Sequence, residues 1–255
     1  MYTFSNKLRI GSFIAMGLGV IFLAIGFLSA PSTVEEAKAM VAVHDDGHGG
    51  GHAEAAENHG EEQSHGAEAE NGEEHDSSHD THLLHQLQNR PWSALYVAAF
   101  FFFMIALGVL AFYAIQRAAQ AGWSPLLFRV MEGITAYLVP GGIIVFVILL
   151  LSSLHMNHMF VWMDADTVAH DELLQGKAGY LNPTFFLIRA AIFLGGWIFY
   201  RQYSRKLSLA QDESDDNSNF VKNFRWSAAF LVFYLISESM MSWDWIMSLD
   251  PHWFS

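Results

Sequence analysis

The chain has 255 residues, 52% hydrophobic and only 15% charged, with a formal net charge of −13 and no cysteine. Soluble domains usually carry about 25% charged residues, so this balance disfavours a single soluble domain, and an acidic chain with no basic stripe disfavours nucleic-acid binding. The absence of cysteine excludes disulfides, covalently attached c-type haem and a cysteine-held iron–sulfur cluster.

The charges are unevenly spread. Fourteen of the 26 acidic residues and nine of the 13 histidines lie between Glu35 and His85. Elsewhere the chain is made of apolar runs long enough to cross a bilayer, which takes roughly 20 residues at about 1.5 Å each. The expected fold is all-α integral membrane: five transmembrane helices, one flanking helix plus a four-helix bundle. The runs are continuous rather than alternating, so barrel strands are not expected.

The first span is expected over about Ile10–Leu28. Its apolar run is longer than a typical signal-peptide core of about 7–15 residues, which favours an uncleaved span over residues 1–31. Residues 32–90 follow as an acidic, histidine-rich outer loop. Its stretch 44–85 carries almost no large apolar residue before Leu83, so it cannot bury a core and is expected to be largely disordered. His44, His48, His52 and His59 are weak metal candidates there, because imidazoles and carboxylates at irregular spacing bind zinc, copper or nickel loosely. A solvated tether is the simpler reading.

Residues 91–255 form the expected bundle. Its spans are about Trp92–Ile115, Ile134–Leu154, Pro183–Tyr200 and Trp226–Met247. The apolar stretch 126–163 is too long for one crossing, and Pro140-Gly141-Gly142 inside it predicts a kink. The part beyond His155, with Trp162 and Met163, is expected along the outer interface. With the N-terminus in the cytoplasm, nine lysines and arginines fall inside and three outside, a positive-inside bias. That places the histidine-rich loop outside, which is the periplasm if the membrane is the inner membrane of a diderm bacterium.

Ionisable groups at membrane depth are costly, so each is a functional candidate. Glu132 lies at the inner end of the third span. The outer set is His155, His158, Arg189, Glu238, Asp244, Asp250 and His252. His155 and His158 are three apart, which on a helix puts both on one side. Together these residues could line a quinone pocket or one end of a proton relay. Alternatively, Arg189 pairs with Asp244 and only fastens two helices.

The run from Ser239 to Ser255, with its Ser-Trp-Asp-Trp and Asp-Pro-His-Trp-Phe segments, resembles a stretch in the NrfD-like (polysulfide-reductase membrane subunit) proteins of bacterial alternative complex III. It is most like the second of that complex's two large membrane subunits. Leu154–His158 and Asn182–Phe186 are also similar, and the resemblance spans about residues 90–255. It implies a quinol:cytochrome c oxidoreductase in which this chain carries no redox centre. Quinone binding or proton translocation would fall to His155, His158, Glu238, Asp244, Asp250 and His252. The implied partners are a second NrfD-like subunit, a periplasmic iron–sulfur subunit, multihaem and monohaem cytochromes c, lipids and a terminal oxidase. Haem c and iron–sulfur clusters would sit on those partners. Such subunits have two four-helix bundles, so residues 91–255 would be the first half of a longer subunit. The competing expectations are a structural membrane anchor of the same complex and a divalent-metal transporter.

Overall fold

The computed structural model describes residues 5–45 and 72–252, and among them every regular element is helical. The chain divides into two compact units, Met1–Trp92 and Ser93–Ser255. Four helical stretches are long and apolar enough to cross a membrane: Asn6–Leu28, Leu83–Ala118, Pro125–Ser153 and Pro183–Asp212. The chain is therefore a multi-pass membrane protein.

In the first unit, α1 (Asn6–Leu28) buries none of its side chains within the chain, as suits a helix solvated by lipid. After it comes α2 (Val34–Asp45), inside the stretch expected to lack structure. Its start is a capping box. The Glu36 amide donates to Thr33 Oγ1 at 3.3 Å, and the Glu36 carboxylate accepts from the Ser32 amide at 2.8 Å. The bonds to the carboxylate from the Ser32 amide, foremost, and the Ser32 hydroxyl hold the Glu36 carboxyl below its ordinary pKa. The Thr-x-x-Glu signal ahead of an alanine-rich run was present in the sequence. A long helix, α3 (Gly72–Ala118), begins in the same unit, so residues 72–90 are helical too. Gln88 Nε2 donates to the Pro31 carbonyl at 3.1 Å, Lys38 pairs with Asp80, and the Phe27 and Trp92 rings meet edge-on at 4.9 Å.

The second unit holds the rest of α3, then α4 (Pro125–Ile134) and α5 (Leu138–Ser153), separated by a 3₁₀ turn at Thr135–Tyr137. The break thus precedes Pro140 rather than sitting at it. Pro140 is the third residue of α5, where its missing N–H would have had no helical partner anyway. Gly141 lets the Tyr137 ring fold over the new helix, since a Cβ there would stand 2.6 Å from that ring. Two short helices follow, α6 (Ala165–His170) and α7 (Glu172–Lys177). Next is α8 (Pro183–Asp212), started by Asn182, whose side chain accepts from the Thr184 and Phe185 amides.

The fifth expected span folds as α9 (Ser218–Trp245). It is long enough to cross, but its Ser, Glu, Asp and Trp residues dilute the apolar run below the other four. It packs along α8 through Asn223, Ser227, Phe230, Ser237, Met241 and Asp244, all buried. Those spacings of four, three and seven are the seam of a coiled coil, here carrying polar residues. Phe103 of α3, Trp197 of α8 and Trp245 of α9 stand 6.1–6.2 Å apart in a triangle of buried rings.

Candidate functional site

The α8/α9 seam gathers buried polar groups into two clusters. Arg189 belongs to one and Ser208 to the other, about 28 Å apart along α8 at about 1.5 Å per residue. That separation is close to the thickness of a bilayer's hydrocarbon, about 30 Å.

At one end, the guanidinium of Arg189 donates from Nε and Nη2 to the two carboxylate oxygens of Asp244, at 2.6 and 2.9 Å. Arg189 is 4% exposed and Asp244 0%. Arg189 also donates to the Tyr180 carbonyl at 3.2 Å and lies 4.0 Å from the Tyr180 ring and 4.4 Å from the Phe185 ring. Every face of the cation is occupied, so a full charge can be held at this depth. Burial pushes the Tyr180 hydroxyl up to about 12, and the neighbouring Asp244 carboxylate adds to the effect. That hydroxyl is buried without a hydrogen-bond partner of good geometry. A pocket of about 420 Å³ opens beside it, lined by Lys177, Tyr180, Leu181, Trp243 and Met247. From α3, Tyr96 Oη donates to the Trp245 carbonyl at 2.8 Å, fastening a third helix to the same end.

The other expected members of this set do not converge on the pair. The helix ends at Ser153, and His155 follows in the left-handed conformation with φ 58°. Its amide donates to the Ser152 carbonyl and the Met156 amide to that of Leu151, both at 3.0 Å. These two bonds form a Schellman cap. His155 is thus an exposed capping residue, and His158 lies half-buried in the following loop. The two histidines do not share a helix face, because the helix that would align them has stopped. Trp162 and Met163 turn inward, 3% and 6% exposed, with Trp162 packed on Phe160 and Phe186. Glu238 is half-buried on α9, on a different face from Asp244 and near Tyr234. Asp250 is exposed.

His252 has a partner of its own. Its Nε2 meets Asp171 Oδ2 at 2.5 Å. Asp171 also caps α7 by accepting from the Leu173 and Leu174 amides. The backbone bond from Leu174, foremost, and the contact with His252 hold its carboxyl below the usual range. Lys177 Nζ donates to the Pro251 carbonyl, so residues 171–177 are clasped to the segment that follows α9.

The opposite end holds the larger cluster, and sequence reasoning missed all of it except Glu132. Glu132 is buried and accepts from Tyr113 Oη at 3.2 Å and Arg129 Nη1 at 2.6 Å. Arg129 further binds the Asp212 carboxylate and the Ser208 carbonyl. Arg117, 5% exposed, donates to Tyr113 Oη at 3.2 Å and Ser208 Oγ at 3.0 Å. Its guanidinium stands 4.0 Å above the Phe128 ring. Ser204 Oγ donates to Asn223 Oδ1 at 2.6 Å, and Asn223 Nδ2 returns a bond to the Ser204 carbonyl at 3.1 Å. Further along the seam, Tyr200 and Ser227 share a bond of 2.7 Å, and Trp197 Nε1 donates to Ser237 Oγ at 2.9 Å. The signal that could have revealed this ladder was the recurrence of Asn223, Ser227, Ser237 and Asp244 on one face of α9, at separations of 4, 10 and 7 residues.

Among the described residues, no three His, Asp or Glu side chains converge as metal ligands. His44 is the last but one residue of α2, with its side chain outside the described part; His48, His52 and His59, and most of the expected loop disorder, also lie outside the described residues. Comparison with protein-family models and with curated proteins finds no match for this chain.

Proposed function

We propose that this chain is a membrane subunit of a quinol:cytochrome c oxidoreductase of the alternative complex III kind, carrying no redox centre of its own. The observation that carries the reading is where the family-like run falls. The stretch beginning at Ser239 supplies Asp244, which binds Arg189, and Trp245, which sits in the central ring triangle and accepts from Tyr96. A run that does this much structural work in this fold has a physical reason to recur in others built the same way.

In this reading the positive-inside bias puts the Glu132 cluster at the cytoplasmic end and the Arg189–Asp244 pair at the periplasmic end. The pocket beside Tyr180 is the place a quinone ring would occupy, with Lys177 and the Tyr180 hydroxyl as polar contacts. Electrons would be carried by partner chains: an iron–sulfur subunit, multihaem and monohaem cytochromes c, and a second NrfD-like subunit, with a terminal oxidase beyond them. The anchor reading is favoured by a different observation. Asp244 is fully engaged by Arg189, so it is not free to take up a proton without stranding a buried cation.

Gentle detergent purification through a tag on this chain, with an absorption spectrum and mass spectrometry, tests the assignment. A reduced c-type haem band with an iron–sulfur subunit supports the respiratory complex. A colourless chain that purifies alone and binds zinc removes it in favour of metal transport. Within a confirmed complex, Glu132→Gln and His158→Ala separate the two roles. A fall in quinol-dependent cytochrome c reduction, with assembly intact, supports a part in turnover, and unchanged rates support the anchor.

A further inference from the structure

Outside both clusters, an apolar groove of about 170 Å³ runs along the packed α8/α9 seam, lined by Gly196, Phe199, Trp226, Ala229 and Phe233 among others. Gly196 makes its floor, since a Cβ there would stand 2.4 Å from the Phe233 ring. At its mouth, Phe199 stacks on Tyr203 at 5.8 Å, and Trp226 closes on both, 5.8 Å from Phe199 and 5.0 Å from Tyr203. Amphipathic rings gathered at one end of a spanning helix mark the depth of the lipid headgroups.

Two lysines continue the same faces beyond that collar. Lys206 follows Tyr203 by three residues on α8, and Lys222 precedes Trp226 by four on α9, spacings that align side chains on a helix. Both are exposed, and neither forms an ion pair among the described residues. Asp216 accepts from Ser214 Oγ and from the amide and hydroxyl of Ser218, and it feels the Lys222 charge without forming an ion pair with it. Hydrocarbon groove, aromatic collar and paired cations therefore follow one another along the seam.

We propose that this groove is a binding site for an anionic phospholipid, with one acyl chain between α8 and α9 and the phosphate between Lys206 and Lys222. The charge complementarity selects the occupant. A neutral isoprenoid would fill the groove equally well but would leave both ammonium groups unmatched, whereas an anionic headgroup gains from each. The lysine stems reach along the collar while their heads meet the phosphate.

The test uses the full chain in mild detergent, incubated with dioleoyl phosphatidylglycerol or dioleoyl phosphatidylcholine, with retained lipid counted by native mass spectrometry. Wild type is expected to retain the anionic lipid about fivefold better or more. Lys206→Gln with Lys222→Gln abolishes that preference. Ala229→Phe, at an exposed position on the groove wall, lowers retention of both lipids. Circular dichroism confirms that each variant is folded, and neither touches a buried position. Equal retention of the two lipids by wild type, an unchanged preference in the double-lysine variant, or full retention in Ala229→Phe overturns the site. So does a neutral isoprenoid quinone that displaces the phospholipid from wild type.

Discussion

The guanidinium of Arg189 and the carboxylate of Asp244 meet as a two-bond fork between α8 and α9, with almost no exposed surface on either side chain. Forks of this geometry are among the stronger polar contacts, but their net worth depends on both partners being present. Asp244→Ala leaves a buried cation and is expected to cost about 3–5 kcal/mol. The apolar pair Arg189→Met with Asp244→Leu is expected to recover most of that loss. Thermal unfolding of the purified chain in detergent measures both, and an Asp244→Ala variant that melts with wild type would show that the fork contributes nothing.

His155 offers a sharp separation of structure from chemistry. It holds the left-handed position that closes α5, a conformation costing about 1–2 kcal/mol for most residues and little for glycine. His155→Gly should therefore keep or slightly raise stability, and His155→Val should lower it by about 1–2 kcal/mol. In the proposed oxidoreductase, turnover should survive the glycine variant. Loss of activity with unchanged melting would restore the imidazole to the mechanism.

The close approach of α8 and α9 at Gly196 is equally specific. Gly196→Ala drives a methyl group into the Phe233 ring, and overpacking of this kind costs about 1–3 kcal/mol. Phe233→Leu in the same chain makes room, so the double variant should be more stable than Gly196→Ala alone. Additive losses in a double-mutant cycle would show that the two positions do not share this contact.

Asp171 makes a pH-dependent clasp. Its carboxyl titrates below the ordinary value of 3.8 in the folded chain. A depressed carboxyl favours the native state at pH values above its unfolded pKa, and that contribution disappears as pH falls through the lower, folded value. Protection of the Leu173 and Leu174 amides against hydrogen exchange, relative to their intrinsic rates, should fall on acidification through that window. Asp171→Asn should remove most of that pH dependence, and an identical pH profile in that variant would exclude the carboxylate as its source.

Much of this protein was legible before any fold was known. Continuous apolar runs of bilayer length dictate spanning helices, because no other local structure satisfies its backbone in lipid. Asn182-Pro183 marks a helix start through its own capping chemistry, and Arg189 with Asp244 stood out because charge at that depth demands a partner. Other features depended on long-range packing. The halt of α5 at Ser153 and the inward turn of Trp162 were not marked by any local breaker. Glu132 and Arg129 are a local pair three residues apart, but nothing local joined them to Tyr113 or joined Arg129, across 79 and 83 residues of chain, to Ser208 and Asp212 of α8. In helices that are apolar nearly all round, periodicity contrasts weakly and does not reveal which face meets which neighbour. The sequence by itself determined the helices and the residues that could not stay alone in lipid. The tertiary structure decided the partners, because hydrogen bonds between helices are set by the register and crossing of whole elements.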